Sequence, residues 1–159
     1  MALQRGLEGA TEVFVAFIDG DGQDDPRDLA AMVEKARAGH EFVNGSKFIG
    51  RIEEGGISRL NFFGNRFMTV LINALFGTRV TDSQSGLRVI ARRVIDGRQY
   101  LSREYEIETE MLCRAIKDGV TVIEMPVTRR AREGGRTGFR RVRNGLRILM
   151  TILRERVTR

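Results

Sequence analysis

The chain has 159 residues, 42% of them hydrophobic, with a formal net charge of +6, which fits one domain or part of one with enough apolar content for a real core. No stretch approaches the roughly 20 apolar residues that cross a bilayer, the first residues carry no charged-then-apolar leader pattern, and a single cysteine, Cys113, excludes a disulfide framework. The charge is uneven: Val127 to Arg159 holds eleven arginines against two glutamates, and the remainder is net acidic, so the C-terminal part suits phosphate recognition through planar, bidentate contacts.

Ala2 to Ala10 reads as the end of a short helix. Val13 to Ile18 is an unbroken apolar run, the pattern of a strand buried on both faces in a parallel sheet. Asp25-Pro26 then supplies an N-cap and a proline at the first helical position. Leu29, Met32, Val33 and Ala36 form a stripe at helical spacing, and Gly39 stops the helix. Glu41 to Val43 reads as a short strand, and Phe48 to Gly56 as a polar, glycine-containing loop. Ser58 caps a helix to about Phe76 that is greasy on more than one side; it is either a core helix or one that dips into a membrane interface. Thr81 to Gly86 is a polar loop and Leu87 to Ala91 a short strand. Arg103 to Lys117 is a helix whose like-charged pairs Glu104/Glu108 and Glu106/Glu110 cost a little, a hint that some of these glutamates serve a site. Cys113 lies inside it as a small core residue. Val120 to Met125 is a strand ending at Pro126, and Arg129 to Gly138 a glycine- and arginine-rich loop. The last helix carries Phe139, Val142, Leu146, Leu149, Met150, Leu153 and Val157 on one side and arginines largely elsewhere, a basic amphipathic helix.

The most informative feature is Asp19-Gly20-Asp21 at the end of the first strand. Ligands of open parallel sheets gather at the carboxyl ends of strands, and two carboxylates two residues apart can bring oxygens to one hard cation such as Mg2+ or Mn2+. Gln23 continues the alternation with a neutral oxygen. A calcium loop is rejected, because its sixth and twelfth positions would hold Asp24 and Ala30 rather than glycine and glutamate. An aspartyl-nucleophile phosphatase, a metal-binding Asp-x-Asp of nucleotide-sugar transferases and a solvated acidic turn all remain compatible with the motif alone.

Several segments then line up in order: Phe-Ile-Asp19-Gly-Asp21-Gly-Gln23-Asp-Asp-Pro26, Asn-Gly45-Ser46-Lys47-Phe48, Asn65-Arg66, Asp82-Ser-Gln-Ser85-Gly86-Leu-Arg88, Glu106-Ile-Glu108-Thr-Glu110-Met, Glu124-Met-Pro126-Val and Arg132-Glu-Gly134-Gly135. Over nearly its whole length the chain resembles the polyprenyl-phosphate glycosyltransferases of glycosyltransferase family 2, the dolichol-phosphate mannose synthase type. The resemblance implies an α/β GT-A fold in part, with a mixed, mostly parallel sheet and flanking helices. Residues 1–159 would form a single GT-A-like catalytic domain truncated at its N-terminus, because nothing corresponds to the family's opening nucleotide-binding strand and its Asp-Asp-x-Ser motif.

The activity implied is metal-dependent transfer of a hexose from a nucleotide diphosphate sugar to a polyprenyl phosphate, with inversion. By the same resemblance Asp19, Asp21 and Gln23 fall on the Mg2+ or Mn2+ site, and Asp82, Ser85 and Arg88 line the transfer site. Arg132 and Arg136 fall on the loop over the donor phosphates, while Lys47 and Arg59 would meet the acceptor phosphate. The family's closing loop often reads Gly-x-Ser-Lys; here Gly135-Arg136-Thr137-Gly138 lacks the lysine. Chemistry agrees with the assignment. A phosphate acceptor is already ionised near neutral pH, so a strong general base is not required, and what is left is alignment and neutralisation of the departing diphosphate. The expected setting is the cytoplasmic face of a membrane, bound peripherally, without a nucleic-acid partner. The rival readings are an arginine-rich nucleic-acid-binding module, which leaves the Asp-x-Asp strand unexplained, and the phosphatase.

Overall fold

The computed structural model describes residues 2–132 and 140–158. In chain order the elements are α1 (Ala2–Gly9), β1 (Phe14–Phe17), α2 (Pro26–Arg37), β2 (Phe42–Ile52), α3 (Arg59–Phe76), β3 (Arg88–Ala91), α4 (Arg92–Ile95), α5 (Glu106–Lys117), β4 (Val122–Arg129) and α6 (Arg141–Val157).

The four strands form one mixed sheet in the order β1-β3-β2-β4. β2 and β4 run parallel, whereas β3 is antiparallel to both of its neighbours, β1 and β2. Successive residues of a strand point to opposite faces, and the core divides accordingly. Phe42 and Ile90 join Ile72 of α3, Leu112 of α5 and Ile152 of α6 on one face. Val43 and Val89 join Met32 and Ala36 of α2, with Leu87 and Val127, on the other. Each large side chain buried in this way contributes about 1.5–3 kcal/mol. The helices thus cover both faces, as the mixed α/β reading expects.

Local signals set most element ends. Asp25 caps α2, its side chain accepting from the backbone N–H of Arg27, and Ser58 caps α3 by accepting from Asn61. Gly77 ends α3 in the left-handed conformation, where a side chain would be strained.

Three expectations change. β1 is an edge strand among the described residues and is only half-buried, with Val13 and Ile18 exposed. β2 is eleven residues long and continues through what reads as a loop. Its Gly45 and Gly50 are not turn residues: a Cβ on Gly45 would lie 2.8 Å from a Val127 methyl, and one on Gly50 would overlap the Val127 backbone. They let β2 and β4 approach closely. β4 likewise runs through Pro126 to Arg129, a place proline tolerates on an outer strand.

α6 presents the opposite side from the one its composition suggests. Val142, Leu146, Met150, Leu153 and Val157 are exposed, while Asn144, Ile148, Thr151, Ile152 and Glu155 are buried. The buried side is tied to α5 by ions. Glu110 accepts from the Leu101 and Ser102 backbone at 2.9 and 2.7 Å and pairs with Arg114 at 2.6 Å and Arg154 at 2.9 Å. Glu155 pairs with Arg114, Lys117 and Arg154.

Candidate functional site

A cavity of about 630 Å3 opens where the end of β1, the loop before β3, the start of α3, α5 and the end of β4 meet. Its wall includes Asp19, Asp21, Gln23, Asp24, Lys47, Asp82, Ser85, Glu108, Arg129 and Arg132. Segments more than 100 residues apart in sequence therefore share one space.

The acidic segment is folded against the end of β4. Gly22 takes φ +73°, which turns the chain so that the Gln23 backbone N–H donates to Asp21 Oδ1 at 3.1 Å. Asp24 forms a single antiparallel bridge with Arg129, and the Arg130 N–H donates to the Gln23 carbonyl at 2.7 Å. The Gln23 amide donates to the carbonyls of Gly56 and Arg130, which leaves Oε1 to accept from Arg129 at 3.0 Å and Arg132 at 3.3 Å. Asp21 Oδ2 accepts from Arg132 at 2.7 Å, and Arg129 lies 3.6 Å from Asp19 and 2.8 Å from Asp24. Burial first, then the neighbouring Asp24 and Asp21, push the Asp19 carboxyl above its ordinary range, and Arg129 pulls against them. Burial disfavours the charge on Arg129, yet Asp24, Asp21 and Asp19 hold its pKa above the ordinary arginine value. Asp19 also needs the glycine opposite it, since a Cβ on Gly86 would lie 2.5 Å from the Asp19 carboxylate.

The second half of the wall is the loop before β3. Glu124 of β4 accepts from the Thr81 N–H at 2.6 Å, the Thr81 hydroxyl at 2.7 Å, the Asp82 N–H at 3.0 Å and the Asn44 amide at 3.1 Å. This grip fixes Asp82, whose Oδ2 accepts from Lys47 Nζ at 2.6 Å and whose Oδ1 accepts from the Gln84 N–H. Ser85 bonds the Leu87 backbone and closes the turn into β3. Glu108, on the first turns of α5, is pushed up to about 8, chiefly by burial and then by Asp19 and Asp24, against the pull of Arg88 and Lys47.

The described residues singled out in the sequence separate into three groups. Asp19, Asp21, Gln23, Lys47, Asp82, Ser85 and Arg132 all line the cavity. Arg88 stands behind it, 1% exposed, donating to the carbonyls of Glu108 at 2.6 Å and Ser83 at 3.0 Å, so it joins α5 to the Asp82 loop. Burial pulls its pKa down against the carboxylates around it. Arg59 is exposed on the first turn of α3, next to cavity-lining Ser58. Arg136 lies outside the described residues. Asp24, Arg129 and Glu124 gain their places in the site through long-range pairing; Glu108 had its signal in the like-charged spacing of its helix.

Among the described residues no three acidic, histidine or cysteine side chains converge as a metal cluster. Mg2+, however, keeps several waters and is usually held by one or two carboxylates together with substrate phosphates. Two carboxylates and an amide oxygen on one cavity wall are a hard-oxygen donor set of that kind. The buried Oδ2 of Asp24 beside them has no hydrogen-bond partner among the described residues. The oxygens present therefore suit Mg2+ or Mn2+.

The model of the family described as "Glycosyl transferase family 2" matches residues 1–98. Glycosyltransferase AglJ of Haloferax volcanii is 29% identical over 146 residues, covering 91% of this chain and 48% of that protein. A UDP-N-acetylglucosamine–dolichyl-phosphate N-acetylglucosaminyltransferase of Methanococcus voltae is 30% identical over 128 residues, covering 79% and 51%. The chain thus spans about half the length of these two relatives. Among solved structures, glucosyl-3-phosphoglycerate synthase of Mycobacterium tuberculosis, in complex with Mn2+ and UDP-glucose, superposes with a TM-score of 0.70 at 18% identity, over 98% of this chain and 52% of that one. The shared fold is that of a GT-A glycosyltransferase.

Proposed function

Since the chain belongs to glycosyl transferase family 2, we propose that its cavity is the diphosphate half of a hexosyltransferase site, taking a nucleotide diphosphate sugar as donor and a polyprenyl phosphate as acceptor. Asp19, Asp21 and Gln23 would hold Mg2+ or Mn2+, and Arg132, with Arg136 from the neighbouring segment, would hold the donor diphosphate. The ion supplies charge neutralisation to the departing diphosphate. An oxygen of the acceptor phosphate attacks the anomeric carbon as the bond to the diphosphate breaks on the opposite side, so the configuration inverts. Lys47, already in the wall, and Arg59 at its rim would receive the acceptor phosphate. Asp82 and Ser85 would shape the space between donor and acceptor, with Arg88 holding their loop to α5.

The observation that carries this reading is the pairing across one cavity of strand-end carboxylates from one segment with arginines from another. Metal, diphosphate and cations belong together in such a place. Calorimetric titration of the chain with UDP-glucose and with GDP-mannose, each with Mn2+, is the test. The expected result is Mn2+-dependent binding that Asp21→Asn abolishes; affinity unaffected by Asp21→Asn would refute it.

No helix among the described residues is long and apolar enough to cross a membrane. The proposed lipid acceptor is instead met at an interface. α3 and α6 both reach the cavity, through Asn61 and Ile148, and both expose apolar stripes away from the core. Peripheral attachment to the cytoplasmic face of a membrane is part of the same proposal.

A further inference from the structure

Asp19, Asp21 and Gln23 each already have a guanidinium against one oxygen. The two arginines are held differently. Arg129 belongs to β4 and is anchored by the buried Asp24 at 2.8 Å. Arg132 lies three residues beyond β4, and its side chain is 31% exposed. Its partners among the described residues are Asp21 Oδ2 and Gln23 Oε1, the same oxygens that a divalent cation would need.

We infer that Arg132 is a resident counter-cation of the Asp-x-Asp site, which gives up Asp21 only when a divalent cation arrives together with a diphosphate, and then takes the diphosphate as its new partner. The inference rests on the metal-diphosphate reading above. Its physical basis is a mismatch of charge. Arg132 lies 2.7 Å from Asp21 Oδ2, so a bare ion entering there would leave it facing a second cation across a short distance. A diphosphate removes that conflict, because its oxygens suit a guanidinium fork. Ion and diphosphate therefore help each other to bind; Arg129 also lies 3.5 Å from Asp21 Oδ2 but is anchored on Asp24, so Arg132 is the side chain that exchanges partners. In the absence of both, Arg132 and Arg129 lie against these carboxylates and hold them in place.

The prediction is an inversion of sign. Arg132→Ala raises affinity for Mn2+ alone, read by electron paramagnetic resonance of free Mn2+, about tenfold. The same substitution lowers affinity for preformed Mn2+–pyrophosphate, read by calorimetry, about tenfold; both factors are of the size usual for coupled sites. Arg132→Lys, which keeps the charge but not the fork, falls between the two for both ligands. Circular dichroism and a thermal melt check that each variant is folded; the position beyond the end of β4 makes the substitution easy to accommodate. Asp21→Asn separates the inference from the reading it rests on. Mn2+ binding that depends on Asp21 but is unchanged by Arg132→Ala, or moves in the same direction for both ligands, overturns the inference alone. No Asp21-dependent Mn2+ binding in any variant overturns the metal reading and the inference with it.

Discussion

Lys47 Nζ donates to Asp82 Oδ2 at 2.6 Å, and both side chains are buried, Asp82 to 1% exposure. One residue comes from β2 and the other from the loop before β3, so the pair welds two walls of the cavity. Breaking such a pair from one side strands the other charge, which costs about 3–5 kcal/mol. Lys47→Met should destabilise the chain by that amount in urea unfolding. Adding Asp82→Leu should return most of it, since the uncompensated carboxylate is then gone; simply additive losses in the double variant would contradict the coupling.

Glu124 should act as the clamp on the same loop. Its carboxylate takes two backbone N–H groups, a hydroxyl and an amide. Glutamine has one carbonyl oxygen and would turn an N–H2 toward donors. Glu124→Gln should cost about 1–3 kcal/mol. It should also speed hydrogen exchange at the amides of Thr81 and Asp82, while exchange in the interior of α2 stays as it was. Protection of those two amides at the wild-type level would rule the clamp out.

Glu108 sets a pH dependence. Its carboxyl is pushed up to about 8 in the folded chain, against an ordinary glutamate value near 4.3 when unfolded. Between those values the unfolded chain holds fewer protons, so stability falls as pH rises from about 5 to about 8, by up to about 1.4 kcal/mol per pH unit. Glu108→Gln cannot ionise and should remove that slope. Urea unfolding at several pH values compares the two, and parallel curves for wild type and variant would disprove the assignment.

Much of the architecture was legible because its signals are local. Asp25-Pro26, Ser58 and Gly39 announce helix ends within a few residues, and α3 runs to Phe76 as its pattern predicts. β2 was hidden because Gly45 and Gly50 look like turn residues until Val127 is placed beside them. The buried side of α6 was hidden because Glu155 earns its place only through Arg114 and Lys117 on another helix. For the site, Asp19 and Asp21 stand out from their position at a strand end. Arg129 and Asp24 do not, since their pairing joins positions more than 100 residues apart, and Arg59, which the resemblance points to, stays outside the cavity wall.

The membrane proposal also has a direct test. Leu60, Phe63, Phe67 and Val70 follow helical spacing on α3 and are all exposed, Phe63 by 68%. The chain should co-sediment with vesicles containing anionic phospholipid at low ionic strength and less at high ionic strength, because exposed arginines contribute a screened attraction. Phe63→Ser with Phe67→Ser should weaken binding about tenfold or more, since burying one such ring contributes about 1.5–3 kcal/mol. A wild-type chain that stays in the supernatant at low salt would reject interfacial binding.

The ions between α5 and α6 have a consequence at a distance. Sliding α6 by one turn, about 5.4 Å, would carry Glu155 and Arg154 away from Arg114, Lys117 and Glu110 and leave buried carboxylates alone. An apolar seam between the same helices would tolerate such a slip far better. The network therefore indexes α6, allowing it one seat along its axis. Ile148, seven residues before Glu155 and so about 10 Å up the same helix, forms part of the cavity wall. A contact made at the far end of the helix decides where that wall stands.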